Sequence, residues 1–242
     1  METSQKEPAL HAKIKNEIID RIRLGDYPVQ SQLPTEAEFC DNFNVSRTTV
    51  RTALQQLSQE GYVYRRQGRG TFVSEPKVKT SLSQTVSSFN EQVTLQGKQP
   101  EIHVVSLDVI PADDMLASTL SCETNAPIQR LVRIRYADGH PLQYEMAYVP
   151  WGLAPGLTQE QCEISLYGAL RDNFGLNIAR TEEHLQLSYT DEHVSIMLQT
   201  EENAPCFYLE TTAYLESGTV AEYSQTYFHG DRASFSIERL YT

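Results

Sequence analysis

Residues 31–73, SQLPTEAEFCDNFNVSRTTVRTALQQLSQEGYVYRRQGRGTFV, leave this chain few ways to fold, because two short helical periodicities follow one another across a brief turn. Thr35 with Glu38 three residues later has the pattern of a capping box, and Ala37, Phe39 and Cys40 supply the apolar side of a helix expected to end near Asn42. Ser46 is placed to cap a second helix. Its Val50, Ala53, Leu54 and Leu57 recur at the i, i+3, i+4, i+7 spacing of one buried face, and Gly61 stops it. A turn as short as 42–45 sets two helices in a helix-turn-helix arrangement.

The second helix leaves Arg47, Thr48, Thr49 and Arg51 in its first turn, away from the apolar face. Guanidinium forks and threonine hydroxyls and methyls are the groups that read base edges and hold phosphates when such a turn enters the major groove. After Gly61, Tyr62 to Arg66 alternates like a strand, Gln67-Gly68-Arg69-Gly70 reads as a flexible turn, and Thr71-Phe72-Val73 returns as a second strand. The resulting two-stranded wing gathers Arg65, Arg66 and Arg69 at a tip whose glycines permit close approach to phosphates or a narrow minor groove. An Arg-rich hairpin is by itself only a solvated turn; directly after a helix-turn-helix it reads as part of a nucleic-acid surface.

The run Leu33-Pro34-Thr35-Glu36, Val45-Ser46-Arg47-Thr48-Thr49-Val50-Arg51, Leu57, Glu60-Gly61 and Gly68-Arg69-Gly70-Thr71-Phe72-Val73 resembles the winged-helix signature of the GntR family of bacterial transcription regulators. The resemblance implies that Arg47, Thr48, Thr49 and Arg51 contact operator DNA and that the tip around Gly68 lies in the minor groove. The expected DNA-facing set is Thr35, Glu36, Ser46, Arg47, Thr48, Thr49, Arg51, Arg65, Gln67, Gly68, Arg69 and Gly70. Ala37 departs from the pattern, since many members carry an Arg there that also touches DNA.

A chain of 242 residues is too long for one winged helix and implies two domains. Residues 1–75 carry ten Lys or Arg and ten Asp or Glu, whereas 76–242 carry ten against twenty-two, so the second part accounts for the whole net charge of −12. An acidic chain binds DNA poorly without a matched site, so its positive potential must be local to the Arg cluster. Cys40, Cys122, Cys162 and Cys206 lie far apart without a C-x-x-C pair, which suggests neither a zinc site nor a disulfide framework. Without a signal peptide or an apolar run of membrane-spanning length, the expected compartment is the cytoplasm, with no membrane partner.

Upstream, Leu10, Ile14, Ile18, Ile19 and Ile22 mark a helix over 9–23 that packs across the other two, with Gly25 as its stop. Its Lys13, Lys15, Arg21 and Arg23 read as a solvated face. The winged helix-turn-helix domain is thus expected over 1–74. Residues 75–82, with Pro76 and two lysines, lose periodicity and read as a linker, leaving 83–242 as a second domain.

That second part alternates strand and helix patterns. Strands are expected at 101–110, 127–137, 141–149, 179–189, 206–215, 220–229 and near 234–240, and helices at 112–120, 165–173 and 191–199. Asp138-Gly139 and Ser217-Gly218 are hairpin turns, so an α+β domain with one antiparallel sheet is predicted. In the first hairpin Arg133 and Arg135 share a face, and a three-residue loop at 138–140 sets Glu145 opposite Arg133, with Val132, Ile134, Tyr144 and Met146 on the other face. Read alone, this is a cross-strand ion pair on a solvated sheet surface.

Arg133-Ile134-Arg135, Asp138-Gly139, Pro141, Glu145, Val149-Pro150, Pro155-Gly156-Leu157, Ser165-Leu166-Tyr167, Glu222-Tyr223-Ser224 and Gly230-Asp231-Arg232 resemble the UTRA effector-binding domain of the HutC-type branch of GntR regulators. The resemblance implies a fold similar to chorismate lyase, a pocket that binds a small metabolite without transforming it, and dimerisation mainly through this domain over 83–242. It implies a phosphate held by Arg133, Arg135, Ser165 and the loop of Ser88, Phe89 and Asn90, and a sugar held by Glu145, Glu222 and Tyr167. Two Arg forks with a serine at a helix N-terminus suit an anion. His229 is expected at the surface or in a hairpin, and His103 as a structural residue of an early strand.

Glu145 and Glu222 also have the residue types of a glycosidase pair acting on a sugar phosphate. Against this, a carboxylate facing an Arg stays ionised and is a poor acid, and no nucleophile motif, phosphate-binding glycine loop or metal spacing accompanies the pair. The expectation is a regulator with no catalytic residues, metal or cofactor. It would be a homodimeric repressor on a palindromic operator in double-stranded DNA, released by a small anionic metabolite such as a phosphorylated sugar or amino sugar, with a carboxylate or phosphonate as the alternative ligand.

Overall fold

The computed structural model describes residues 9–75, 77–81 and 88–237. It divides into two compact units, Met1–Lys77 and Val78–Thr242.

In the first unit, α1 (Leu10–Leu24) buries Ile14, Ile18 and Ile19 and stops at Gly25 in the left-handed region, while Leu10 stays exposed. The capping box of α2 (Glu36–Phe43) forms as its spacing predicts: Thr35 Oγ1 accepts from the Glu38 amide, and Glu38 accepts from the Thr35 amide at 2.7 Å. Ala37, expected on the buried side, is exposed; Phe39 is fully buried, with Cys40 and Phe43 half-buried beside it. The helix turns its aromatic ridge inward, and Phe39 stacks on Phe43. Helix α3 (Arg47–Gln59) starts at Ser46, whose side chain accepts from the Thr49 amide, and buries Val50, Ala53, Leu54 and Leu57. The valine and the two leucines each contribute about 1.5–3 kcal/mol by leaving water.

Strands β1 (Val63–Arg66) and β2 (Gly70–Val73) pair antiparallel to make the wing. Gln32 forms an isolated bridge to Phe72, and its Nε2 donates to the Arg69 carbonyl at 2.9 Å. Gly70 has φ 109°, a backbone conformation that favours glycine, and a Cβ there would lie 2.7 Å from Gln32 Nε2 and displace the brace.

The second unit opens with β3 (Val78–Ser81), which pairs parallel with β10 (Ala233–Ser236). Part of the stretch read as a linker over 75–82 is therefore a strand of this unit. Its boundary at 82/83 and the end of the strand expected over 234–240 fall outside the described residues. Helix α4 (Phe89–Thr94) follows, unforeseen in the periodicity because six residues are too few to show it. Then come β4 (Pro100–Pro111), α5 (Asp114–Thr119), β5 (Pro127–Ala137), β6 (His140–Pro150), α6 (Gln159–Ile164), α7 (Leu166–Phe174), β7 (Ile178–Tyr189), α8 (Glu192–Leu198), β8 (Pro205–Leu215) and β9 (Val220–His229). Helix α6 was also not foreseen.

The six long strands form one antiparallel sheet in the order β4-β5-β6-β9-β8-β7, two three-stranded meanders joined through β6 and β9. One face packs α8 over Val132, Ile134 and Tyr144, and α5 over Ile128 and Tyr223. On the other, α6 and α7 close over Leu131, Ala147 and Val149. At Gly230, just after β9, a Cβ would come within 2.1 Å of the Pro205 carbonyl oxygen, so glycine is required for the close approach to β8. No helix among the described residues is long and apolar enough to cross a membrane. Cys162 and Cys206 are buried and Cys40 and Cys122 half-buried, all as free thiols.

Candidate functional site

Two sites assemble, one in each unit. In the first, α3 presents Arg47, Thr48 and Arg51 to solvent from its N-terminal half, with no acidic residue in its first turn. Thr49 is half-buried, its hydroxyl 2.8 Å from that of Ser46, so both are engaged in the cap. The N-terminal end of the helix dipole adds to the positive potential there. At the wing, Gln67, Gly68, Arg69 and Gly70 are all exposed. Arg65 lies 3.6 Å from Glu36 beside the Thr35 cap, tying wing to α2. Arg66, counted with the tip in the sequence, instead rests against the Tyr64 and Phe72 rings, 5.5 Å from each centroid. The upstream basic residues are paired: Lys15 with Glu60 at 2.7 Å, Arg21 with Glu17 at 2.9 Å and Arg23 with Asp20 at 3.8 Å.

In the second unit, a cavity of about 620 Å³ opens on the face of the sheet that carries Arg133, Glu145 and Glu222. All nine residues expected from the sequence line it: Ser88, Phe89 and Asn90 from α4 and its cap, Arg133 and Arg135 from β5, Glu145 from β6, Ser165 and Tyr167 from the start of α7, and Glu222 from β9. The Arg133–Glu145 pairing forms as predicted, by a different turn. Ala137 pairs with His140 across the two-residue turn Asp138-Gly139, and a bulge at Leu142 supplies the extra residue that brings Arg135 opposite Gln143 and Arg133 opposite Glu145.

The ion pair is no solvated surface contact. Arg133 and Glu145 are 3% and 5% exposed, and Arg133 Nε donates to Glu145 Oε2. Arg133 Nη1 also donates to the Cys162 carbonyl at 3.2 Å. Arg135 reaches the same carboxylate from the side, with Nη2 at 3.0 and 2.9 Å from its two oxygens and Nη1 donating to Gln143 Oε1 at 2.9 Å. Burial alone would raise the Glu145 carboxyl, but the two guanidinium groups hold it below the usual carboxylate range. Burial and the neighbouring Arg133 charge bring Arg135 down to about 10, which leaves it cationic at neutral pH. Its guanidinium lies 5.5 Å from the Phe89 ring centroid.

Glu222 is the contrasting carboxylate. It is 1% exposed and accepts from the Tyr167 hydroxyl at 2.9 Å. Burial, with the Glu145 charge nearby, pushes it up to about 7. Tyr167, expected to pack on a ligand ring, thus has its hydroxyl committed to Glu222. Burial and that carboxylate push the phenol well above its ordinary value. Ser165 caps α7, its Oγ accepting from the Gly168 amide at 3.1 Å. Two lining groups are buried with no hydrogen-bond partner, the Nε of Arg135 and Oδ1 of Asn90. A buried polar atom in that condition calls for a partner that arrives from outside.

Further lining residues were missed. Gln143 and the Ser224 and Thr226 pair follow from Glu145 and Glu222 by the period of two, so their signal was present. Thr211 and Glu183 enter through the registers of β8 with β9 and β7 with β8, which no local pattern announces. The histidines stand apart from the lining. His103 is exposed on β4, 2.7 Å from Glu101, and His229, expected near the surface, is buried with its Nδ1 accepting from the Asp231 amide. Among the described residues no cluster of three or more His, Cys, Asp or Glu could hold a metal ion.

Two family profiles match the chain: "Bacterial regulatory proteins, gntR family" over residues 10–73 and "UTRA domain" over 95–234. The HTH-type transcriptional regulator YurK of Bacillus subtilis is 34% identical over 96% of each chain. The mannosyl-D-glycerate transport/metabolism system repressor MngR of Escherichia coli is 31% identical over 94% of this chain and 95% of its own. The crystal structure of PhnF from Mycobacterium smegmatis superposes with a TM-score of 0.70 at 28% identity, covering 97% of this chain and all of that one.

Proposed function

Because the chain belongs to the gntR family of bacterial regulatory proteins and carries their UTRA domain, we propose that it is a homodimeric repressor released from a palindromic operator by a small anionic metabolite. It is a transcriptional regulator and not an enzyme, as the family and its relatives are. Within that class, the effector is a phosphorylated sugar or amino sugar, bound in the second unit's cavity.

The observation that carries this reading is the cavity's own chemistry. Two guanidinium groups share one carboxylate, so the Arg133–Arg135–Glu145 cluster keeps one positive charge, and the Arg135 Nε in the lining still lacks an acceptor. A phosphate or similar anion supplies that acceptor with charge-assisted hydrogen bonds. Glu222, Asn90, Thr211 and Thr226 offer the further polar groups that hydroxyls or an amine of a sugar need. MngR, a repressor of a sugar-glycerate system by name, is in keeping with such a ligand. Metabolite binding that favours an arrangement of the two recognition helices mismatched to the operator needs a coupling of only about 1–3 kcal/mol, or roughly 5- to 150-fold in affinity.

The test is thermal unfolding of the purified protein against hexose phosphates, amino-sugar phosphates, phosphonates and small carboxylates, followed by release of a duplex selected from a random pool. A ligand at 100 times its Kd adds about 2.7 kcal/mol, a readily visible shift in midpoint. A shift confined to phosphorylated sugars that also releases the duplex supports the reading. A shift with carboxylates or phosphonates alone replaces the effector and keeps the regulator.

A further inference from the structure

The wing tip, Gln67 to Gly70, carries the exposed Arg69 between two glycines of positive φ, so its own backbone does little to hold it. Lower down, residues 31–33 pair with β2: Val73 N–H donates to the Ser31 carbonyl at 2.9 Å and Leu33 N–H to the Thr71 carbonyl at 2.8 Å. Hydrogen-bonded pairs of an antiparallel ladder recur at every second residue. After Ser31 with Val73 and Leu33 with Thr71, the next donor would be Thr35 N–H and the next acceptor the Arg69 carbonyl. That donor is taken, because Thr35 N–H goes to Glu38 Oε2 at 2.7 Å in the capping box of α2. The Arg69 carbonyl accepts instead from the Gln32 side chain, whose Nε2 lies 2.9 Å away. Arg69 N–H donates to the Arg66 carbonyl at 3.0 Å. Both backbone polar groups of Arg69 are therefore held while the residue stays exposed.

Resting on the reading of the wing tip as a DNA contact, we infer that Gln32 is a positioning residue for operator recognition. Its side-chain amide completes the ladder that the capping box interrupts, and so fixes the backbone from which Arg69 reaches the minor groove. Arg is the side chain favoured in a narrow minor groove. A guanidinium on a long flexible stem binds more tightly when the backbone beneath it is already fixed, because less freedom is lost on association. The tip is shaped to admit the amide, since a Cβ at Gly70 would lie 2.7 Å from the same Nε2. Gln32 acts through Arg69 and needs no contact with DNA of its own. Methionine matches glutamine in length and offers no N–H, which makes it the substitution that isolates the donor.

The experiment measures binding of the full chain to a duplex selected from a random pool, by fluorescence anisotropy at fixed salt, in a double-mutant cycle. Gln32→Met is expected to weaken binding by about two- to tenfold, the worth of one neutral hydrogen bond, and the loss should vanish in an Arg69→Ala background. Gln32 is exposed, so the melting temperature should hold. In the free protein, hydrogen exchange at the Arg69 and Gly70 amides should quicken in Gln32→Met. If Arg69→Ala weakens binding while Gln32→Met binds like wild type, the inference is overturned and the wing stands as a DNA contact. Equal losses from Gln32→Met with and without Arg69 also overturn it, because Gln32 then acts through another group. An Arg69→Ala chain that binds like wild type removes the DNA reading of the tip and the inference with it. Should Gln32→Met fail to fold, Gln32→Asn, one methylene shorter, takes its place in the same cycle.

Discussion

Glu145 and Glu222 are both buried glutamates of one cavity, yet their surroundings push them in opposite directions. Two guanidinium groups hold Glu145 ionised, whereas Glu222, with a tyrosine hydroxyl and no salt-bridge partner among the described residues, sits at about 7. Below about 4.5 Glu222 is protonated in folded and unfolded chains alike. Between there and about 7 only the folded chain keeps the proton, so this group's contribution to stability is lost as pH rises, by roughly 3 kcal/mol in all. Urea unfolding of Glu222→Gln should therefore show the variant gaining about that much on wild type between pH 5 and pH 8; parallel pH profiles would return Glu222 to an ordinary carboxylate. Arg135→Ala should leave operator binding unchanged and weaken the effector by about ten- to a hundred-fold, the worth of charge-assisted hydrogen bonds, as read by calorimetric titration. Arg133→Ala is a poorer probe, because it also removes the donor to the Cys162 carbonyl and leaves the buried Glu145 with only Arg135 of its two guanidinium partners.

Among the elements, α3 and the wing present the side chains we propose for DNA recognition, and fold stability does not need them. Arg47→Ala and Arg51→Ala should each abolish or sharply weaken specific operator binding while the melting temperature holds, since both side chains are exposed. Arg69→Ala at the wing tip should lower affinity and reduce the salt slope by about one. Fluorescence anisotropy against salt concentration separates the cases, and retained operator affinity in both α3 variants would sink the recognition-helix assignment. Ser46→Ala differs in kind: it should cost about 1 kcal/mol of stability through the lost cap.

At the scale of the whole molecule, the first unit holds its own core of α1, α2, α3 and the wing, closed by Leu33, Val63 and Val73. A chain ending at Lys77 should therefore fold, yet bind the operator far more weakly than the full chain because the two half-sites are no longer linked. Analytical ultracentrifugation with an operator titration checks this, and equal affinity for the truncated chain would argue against an obligate dimer. The cut belongs after Lys77, since β3 pairs with β10 and is part of the second unit.

What the sequence determined alone was local. Caps, helical periodicity and turn dipeptides act over a few residues, so Thr35, Ser46, the buried face of α3 and the Asp138-Gly139 hairpin were legible before any coordinates. Even the facing of Arg133 and Glu145 was legible, although a bulge at Leu142 rather than a longer loop achieves it. Other features came only from tertiary structure. Six-residue helices such as α4 and α6 carry too little pattern to be seen. The strand in the supposed linker exists only because β10 returns from the far end of the chain. The burial of the ion pair, the near-neutral Glu222 and the entry of Thr211 and Glu183 into the cavity depend on registers between strands distant in sequence, and those are set by how the whole sheet buries its apolar face.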